Sequence, residues 1–504
     1  MLRVDAMMPT NDFFIWVPLL FLCSSLLLLK SIRKQAKPNN KLLPPTPPKL
    51  PLLGHFHLIG SLPHRSLSQL SKKYGPVMLL QLGSVPTIVI SSAAAARELF
   101  KFHDLASCSR PCSTGSGRLS YSYVDMSFAP YGEHWRNVRK ICMFELFNAS
   151  RVQSFQYIRE EEVGLLLNSI SQHSNLVDLS EKSYSLTENI ITRMAFGKNF
   201  RGGELDNHNF HHVVRRAIVS LGYFSATDYF PRVGWIVDWL TGVHGRLEKS
   251  FFELDAFFQH VIDDRINFQA TSQKKDNIID VLLKSEKDGL QLSGDCIKAL
   301  TMNIFLGGVE TGAGVIVWAM TELVRNPRVM KKLQYEIRNC IKEDEVKESQ
   351  LEKLEYLKMV VKEVLRLHPP IPLLPRETMS HFKLNDYDID PKCHLYVNVW
   401  AIGRDVNSWS DAEKFLPERF IGSDINYIGQ HFELLPFGAG RRRCPGMNMG
   451  ILAVELTLAN LLLCFDWKLP DGMKEEDLDM EENGGLTIPK RSPLKLIPIR
   501  HLRV

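Results

Sequence analysis

The apolar pattern of the chain changes character at three places. From Phe13 to Leu29 the residues are uncharged and almost wholly apolar. At 1.5 Å per residue the run spans roughly 25 Å, just short of the ~30 Å hydrocarbon core of a bilayer. It predicts one N-terminal transmembrane helix. Lys30, Arg33, Lys34 and Lys37 follow it, while Asp5 and Asp12 stand against Arg3 before it. That asymmetry places the rest of the chain in the cytosol. A cleaved signal peptide needs the reverse order, with charge first and small residues after, and no A-x-A site follows. The second change is Leu43 to Gly54, LPPTPPKLPLLG, whose five prolines predict a stiff, extended spacer. Past residue 55 two strand-like runs appear, Val77 to Leu82 and Thr87 to Ser91, and most of the remainder repeats at helical spacing. The clearest helix runs from about Ser293 to Asn326. Ser293 or Asp295 can cap its start, and Asn326-Pro327 ends it. It would be roughly 50 Å long. The expected organisation is an anchor over 1–30, a basic and proline-rich hinge over 31–54, and one globular domain over 55–504, mainly α with small β-sheets.

Composition narrows the function. The 504 residues are 45% hydrophobic and 23% charged, ordinary globular values. The formal charge of +5 is too mild to argue for nucleic acid, and no basic-aromatic module stands out. The nine cysteines show neither a CxxC pair nor zinc spacing with histidine, which reads as free thiols in a reducing compartment.

The chemistry concentrates in Phe437 to Gly446, FGAGRRRCPG. Gly438 and Gly440 permit a tight loop that carries Cys444 to the start of an apolar helix. Arginines 441 to 443, the helix N-terminus and any bound metal would all favour thiolate over thiol. The residues alone leave three readings open: a small core hydrophobe, a nucleophile or redox sensor, and a metal ligand. Upstream, GGVETG, Gly307 to Gly312, puts three glycines inside the long helix, each costing about 1 kcal/mol against alanine. A close approach to that backbone would justify the cost, and a kinked helix with a satisfied polar pair is the plainer account. Glu363 and Arg366 share a helical face three residues apart, as Trp135 and Arg139 do four apart.

Together these stretches resemble the cytochrome P-450 family. F-x-x-G-x-R-x-C-x-G is met at Phe437, Gly440, Arg442, Cys444 and Gly446. GGVETG resembles the family's oxygen-activation motif, with Gly312 where Thr or Ser is usual. E-x-x-R, the PERF run from Pro417 to Phe420 and W-x-x-x-R all occur in family order. Runs such as FLGGVETG and LLPFGAGRRRCPGMN look most like plant microsomal members of the A-type group.

The resemblance implies a P-450 fold and haem b held by Cys444 as axial thiolate, a ligand that favours O–O cleavage. It implies that Arg442, Arg139 and Arg376 reach the haem propionates, with Trp135, Phe437, Gly440 and Gly446 completing the cofactor site. Thr311 would steady dioxygen, and Glu310 would help bring protons through ordered water. Glu363, Arg366 and Arg419 would form a buried structural triad. The expected activity is a haem-thiolate monooxygenase of the endoplasmic reticulum membrane, single-pass, with its catalytic domain cytosolic. Electrons would come from NADPH–cytochrome P-450 reductase, with cytochrome b5 as a further donor. Arg136, Lys140 and Arg443 are candidates for docking an acidic partner. Dioxygen and a small hydrophobic substrate, a terpenoid or an alkaloid, would react in a pocket drawn from 121–128, 205–243, 305–311, 371–374 and 486–487. The rival classes are a reductase-independent haem-thiolate isomerase or dehydratase, a non-catalytic haem protein, and a membrane adaptor without haem.

Overall fold

The computed structural model of the protein describes residues 41–172, 175–197, 208–222, 225–269, 277–287 and 292–501. The expected membrane anchor and the basic residues after it lie outside the described residues. The unit from Pro44 onward is compact. The prolines of 44–54 lie folded on this unit: Leu79 N donates to Pro45 O at 2.9 Å, and Gly54 bridges to Leu82.

Seven helices position the site: α1 (Thr114–Leu119), α2 (Glu133–Ile141), α3 (Leu179–Phe196), α4 (Val243–Gln269), α5 (Gly294–Arg325), α6 (Glu355–Leu367) and α7 (Met447–Cys464). α5 is the expected long helix. Ser293 caps it by accepting from Cys296 N at 3.2 Å, and Pro327 opens the next helix after Asn326. α5 and α7 are long and apolar enough to cross a membrane, yet 67% and 72% of their apolar windows are buried. They are the core, packed on each other and on α3 and α6. Burial of apolar area on all sides is why neither reads as a one-faced helix.

The strands form small sheets. Val77–Leu82 (β1) and Val85–Ile90 (β2) pair antiparallel. Leu373–Glu377 (β3) and His394–Asn398 (β4) complete the sheet in the order β1-β2-β4-β3, with β2 and β4 parallel. β3 carries Arg376 into the interior, where it is 2% exposed.

The Glu363 cluster locks α6 to the segment before the cysteine loop. Arg366 grips Glu363 with two bonds of 2.8 Å, and Arg419 Nε adds a third at 3.0 Å. Leu416 N also donates to Glu363. The spare guanidinium hydrogens of Arg366 reach Gly403 O, Ala412 O and Lys414 O. Every charge in this knot is answered, with Glu363 and Arg366 buried and Arg419 at its edge, which is the condition for a buried ion pair to hold.

Candidate active site

The cysteine loop is closed by its own backbone. Cys444 N donates to Phe437 O at 2.9 Å, and α7 begins two residues past Pro445. Gly438 and Gly440 both take positive φ, 69° and 66°. At Gly440 the space matters as well, because a Cβ there would lie 2.2 Å from Asp104 Oδ1. Asp104 uses that gap to accept from Arg441 N and Nη1 and from Arg376 Nη1. Phe437 meets Tyr427 edge-on at 5.6 Å, and Gly446 packs beside Phe147.

Cys444 lies deep in the protein yet keeps accessible surface. Burial pushes its thiol up. The amides of Gly446 and Met447 and the guanidiniums of Arg139 and Arg443 pull it down without prevailing. The arginines therefore do not by themselves make a thiolate. Their charge is spent elsewhere: Arg441 on Asp104, Arg442 on Cys108 O and Ala129 O, and Arg443 on Ile428 O. A metal at the sulfur would supply the missing stabilisation.

α5 opens at the glycines. Gly307 is accessible in the middle of this core helix, and a Cβ there would meet nothing within 4 Å. Thr311, one turn on, is partly accessible, and its hydroxyl donates to Gly307 O. Gly308 and Gly312 serve packing instead. Their Cβ positions lie 2.4 Å from Ile191 and 3.2 Å from Thr187 of α3. Thr187 Oγ1 lies 2.9 Å from Val309 O, inside the same stretch. Glu310 accepts from Thr487 Oγ1 at 2.6 Å, so the acid is tied to the C-terminal segment. That segment is also held by Trp318 Nε1 on Ile488 O and by Ile488 N on Pro370 O.

Around the cysteine loop sits a group of arginines with few anions. Arg442 donates to Cys108 O, Met126 O and Ala129 O and stacks 4.1 Å over Trp135. The Trp135 indole donates to Met126 O at 2.9 Å. Arg139 donates to Arg443 O, and Arg376 to Asp104 and Ala439 O. Arg110, which sequence reading missed, donates to Pro375 O and Ser127 O. Burial first, and then each other's charge, disfavours these cations: Arg110 falls to about 10 and Arg442 to about 9. A nest of this kind calls for carboxylates.

Asp125 and Asn303 were also missed. The buried Asp125 accepts from Ser127, Phe128 and Ala129 amides and from Asn303 Nδ2, while Asn303 Oδ1 accepts from Met126 and Ser127 amides. They weld residues 125–129 to α5. No local motif signals a pair so far apart in sequence.

The three features fit one kind of group: a metal for the sulfur, two carboxylates for the arginines, and bulk against the open stretch of α5. Iron protoporphyrin IX has all three, so the residues present fit a haem. The family model for Cytochrome P450 matches residues 44–496. Cytochrome P450 71B37 of Arabidopsis thaliana is 50% identical over 501 residues, covering 97% of this chain and 99% of that one. Cytochrome P450 71B36 of the same plant is 49% identical over 498 residues, again 97% and 99%. A solved zebrafish cytochrome P450, determined with abiraterone, shares the fold with a TM-score of 0.75 at 23% identity, covering 88% of this chain and 100% of that one. The chain belongs to the cytochrome P450 family. It is a haem-thiolate monooxygenase whose cofactor is haem b, served by a redox partner, dioxygen and a substrate.

Proposed function

We propose that this enzyme oxidises a small hydrophobic plant specialised metabolite of the terpenoid or alkaloid class. The observation that carries the reading is the open stretch of α5: Gly307 and Thr311 accessible in a core helix that packs on the helix behind Cys444. Leu306 beside it and Leu486 next to Thr487, which bonds Glu310, are partly accessible and offer an apolar lining. Kinship to plant relatives near 50% identity supports a plant metabolite.

Haem supplies the activation of dioxygen when bound. Cys444 would hold its iron, and Arg110, Arg139, Arg376 and Arg442 its two carboxylates, with Trp135 keeping Arg442 flat. Phe437, Gly440 and Gly446 shape the loop. Thr311 holds a hydroxyl at the open face of α5, and Glu310 holds a proton acceptor behind it, steadied by Thr487. Glu363, Arg366 and Arg419 fix the scaffold. The globular domain, with 44–54 folded on it, would stand on the cytosolic face of the endoplasmic reticulum, anchored by 1–30 through the basic part of the expected hinge. Its electron donors would be NADPH–cytochrome P-450 reductase and cytochrome b5. Arg136 and Lys140 are exposed and suit docking, whereas Arg443 is tied to Ile428.

The deciding experiment is the carbon monoxide spectrum of the reduced protein, wild type beside Cys444→Ser, followed by turnover of terpenoids and alkaloids with reductase and NADPH. A strongly red-shifted Soret band that the serine variant loses is the expected result. A normal band in the variant overturns the ligand assignment. Turnover without reductase would replace the oxygenase reading with an isomerase or dehydratase.

A further inference from the structure

The acid and the alcohol of the open stretch are each engaged, and on different partners. Thr311 donates back to Gly307 O, one turn earlier in α5. Glu310 reaches off the helix instead. Thr487 Oγ1 donates to its Oε2 at 2.6 Å, the length of a charge-assisted O–H···O bond. Thr487 is 7% exposed, which shields the bond from competing water. Successive helix positions point about 100° apart. The bond therefore aims the carboxylate at the C-terminal segment, to one side of the Thr311 hydroxyl.

The segment that carries Thr487 is a loop held at both ends. Glu482 and Lys490 pair at its base, and Asn483 N donates to Pro489 O at 2.8 Å. The buried Glu482 carboxylate accepts from Arg65 Nε at 2.7 Å and Trp400 Nε1 at 3.0 Å, and His64 Nε2 lies 2.9 Å from it. Burial would lift this carboxyl, but the His64 and Arg65 contacts outweigh it and hold it at about 2. At the other end Ile488 is pinned twice, by Pro370 O and by Trp318 Nε1, the latter about two turns beyond Glu310. Gly484 to Thr487 lie between these anchors. Among the described residues they make no backbone hydrogen bond within the protein, and Gly484 and Gly485 are exposed. The Thr487 hydroxyl thus ties a stretch without backbone bonds to the acid of α5. Leu486, just before it, is partly accessible. One such hydrogen bond is worth, net, about as much as burying two methylenes. An apolar molecule pressed on Leu486 has enough contact energy to displace it.

We propose that Thr487 is a positioning residue for the oxygenation: its hydroxyl parks Glu310 on the C-terminal loop, and an occupant pressing on Leu486 releases the acid toward Thr311. Arrival of a substrate is thereby coupled to proton supply. The protons come from solvent and leave in the water that the monooxygenase reaction forms. The proposal rests on the reading of the open stretch as the substrate site.

The test uses haem-loaded protein and reads Glu310 directly. Difference infrared spectra of Thr487→Val against wild type should show the Glu310 carboxylate band moved to higher frequency, with Glu310→Gln identifying the band. Thr487→Ser, which keeps the donor, should leave the band in place. Adding 4-phenylimidazole, an apolar ligand of haem iron, should move the band in wild type and not in Thr487→Val. A second readout is the share of NADPH electrons released as hydrogen peroxide, with reductase and no substrate. It should fall roughly fivefold in Thr487→Val, the population shift that one lost hydrogen bond allows, and hold in Thr487→Ser. With Glu310→Gln already present, Thr487→Val should leave that share unchanged, because the two residues share one contact. A band unmoved in Thr487→Val, or moved equally in Thr487→Ser, overturns the proposal. An equal fall in peroxide with and without Glu310 would reduce Thr487 to a loop contact. A 4-phenylimidazole complex that shifts the haem absorbance but not the Glu310 band would remove the release. If 4-phenylimidazole leaves the haem absorbance itself unchanged, the substrate-site reading has failed, and the Thr487→Val spectrum still decides whether Thr487 holds Glu310.

Discussion

Two arginine clusters lie in this molecule, and they are built on opposite terms. Arg366 and Arg419 converge on one carboxylate, Glu363, and every remaining hydrogen of Arg366 finds a backbone carbonyl. Among the described residues, Arg110, Arg139, Arg376 and Arg442 meet neutral carbonyls and one directly bonded acid, Asp104. The first cluster is complete as folded. The second has its members' affinity for protons lowered, by burial first and by each other's charge after it, and would be completed by anions from outside the chain. A closed cluster therefore marks scaffold, and an open one marks a seat for a charged cofactor.

Substitutions can break this contrast. Glu363→Ala strands two buried guanidiniums, and a buried pair cut on one side costs about 3–5 kcal/mol. Loss of soluble, folded protein is expected with or without haem, read by thermal melting and expression. Arg442→Leu should act differently. Haem should dissociate roughly tenfold faster, measured by transfer to an apo-globin acceptor, the loss of one charge-assisted contact. The melting temperature of the haem-free protein should fall far less than in Glu363→Ala. Equal melting losses in the two variants would erase the distinction between the clusters.

A buried acid on the helix behind the glycines gives a milder test. Burial lifts the Glu188 carboxyl to about 8, above its unfolded value of about 4.3. The folded state thus binds the proton more tightly. The stability this confers is full below about pH 4 and drains as pH rises through 8. Glu188→Gln should flatten that decline in a plot of melting temperature against pH, with the largest gain at alkaline pH. An unchanged slope would place the sensitivity elsewhere.

The closed cluster was legible in sequence because its members sit in short spaced motifs, Glu363 three residues from Arg366 and Arg419 within PERF. The long helix was legible too, since Ser293 and Asn326-Pro327 punctuate it and its apolar run is continuous. Strand β2 was found shifted, running Val85–Ile90 where the pattern predicted Thr87 to Ser91. Half of the open cluster's setting was invisible. Arg110 lies in a loop without periodicity, and Asp104 earns its place only because Gly440 lacks a side chain 336 residues away. The Asp125–Asn303 weld joins positions 178 apart. The left-handed turn at Tyr121 was hidden for another reason. Left-handed backbone is announced by Gly or Asn, and here Tyr, Ser and Tyr adopt it, held by the Tyr121–Asp255 bond and by local bonds from Ser122 N to Gly117 O, Tyr123 N to Ser120 Oγ and Tyr123 Oη to Ser113 O.

The contact between Gly312 and Thr187 has a bearing on redesign. A Cβ at 312 would stand 3.2 Å from the Thr187 methyl, tighter than ordinary packing allows without a shift. The position where relatives of the motif carry a second hydroxyl is thus already claimed by a neighbouring helix. Installing Gly312→Ser to alter proton supply asks Thr187 to give by a few tenths of an ångström, and Thr187→Ser in the same step would make that room. The two sites make a single dial: an extra hydroxyl at 312 is set against close helix contact at Thr187.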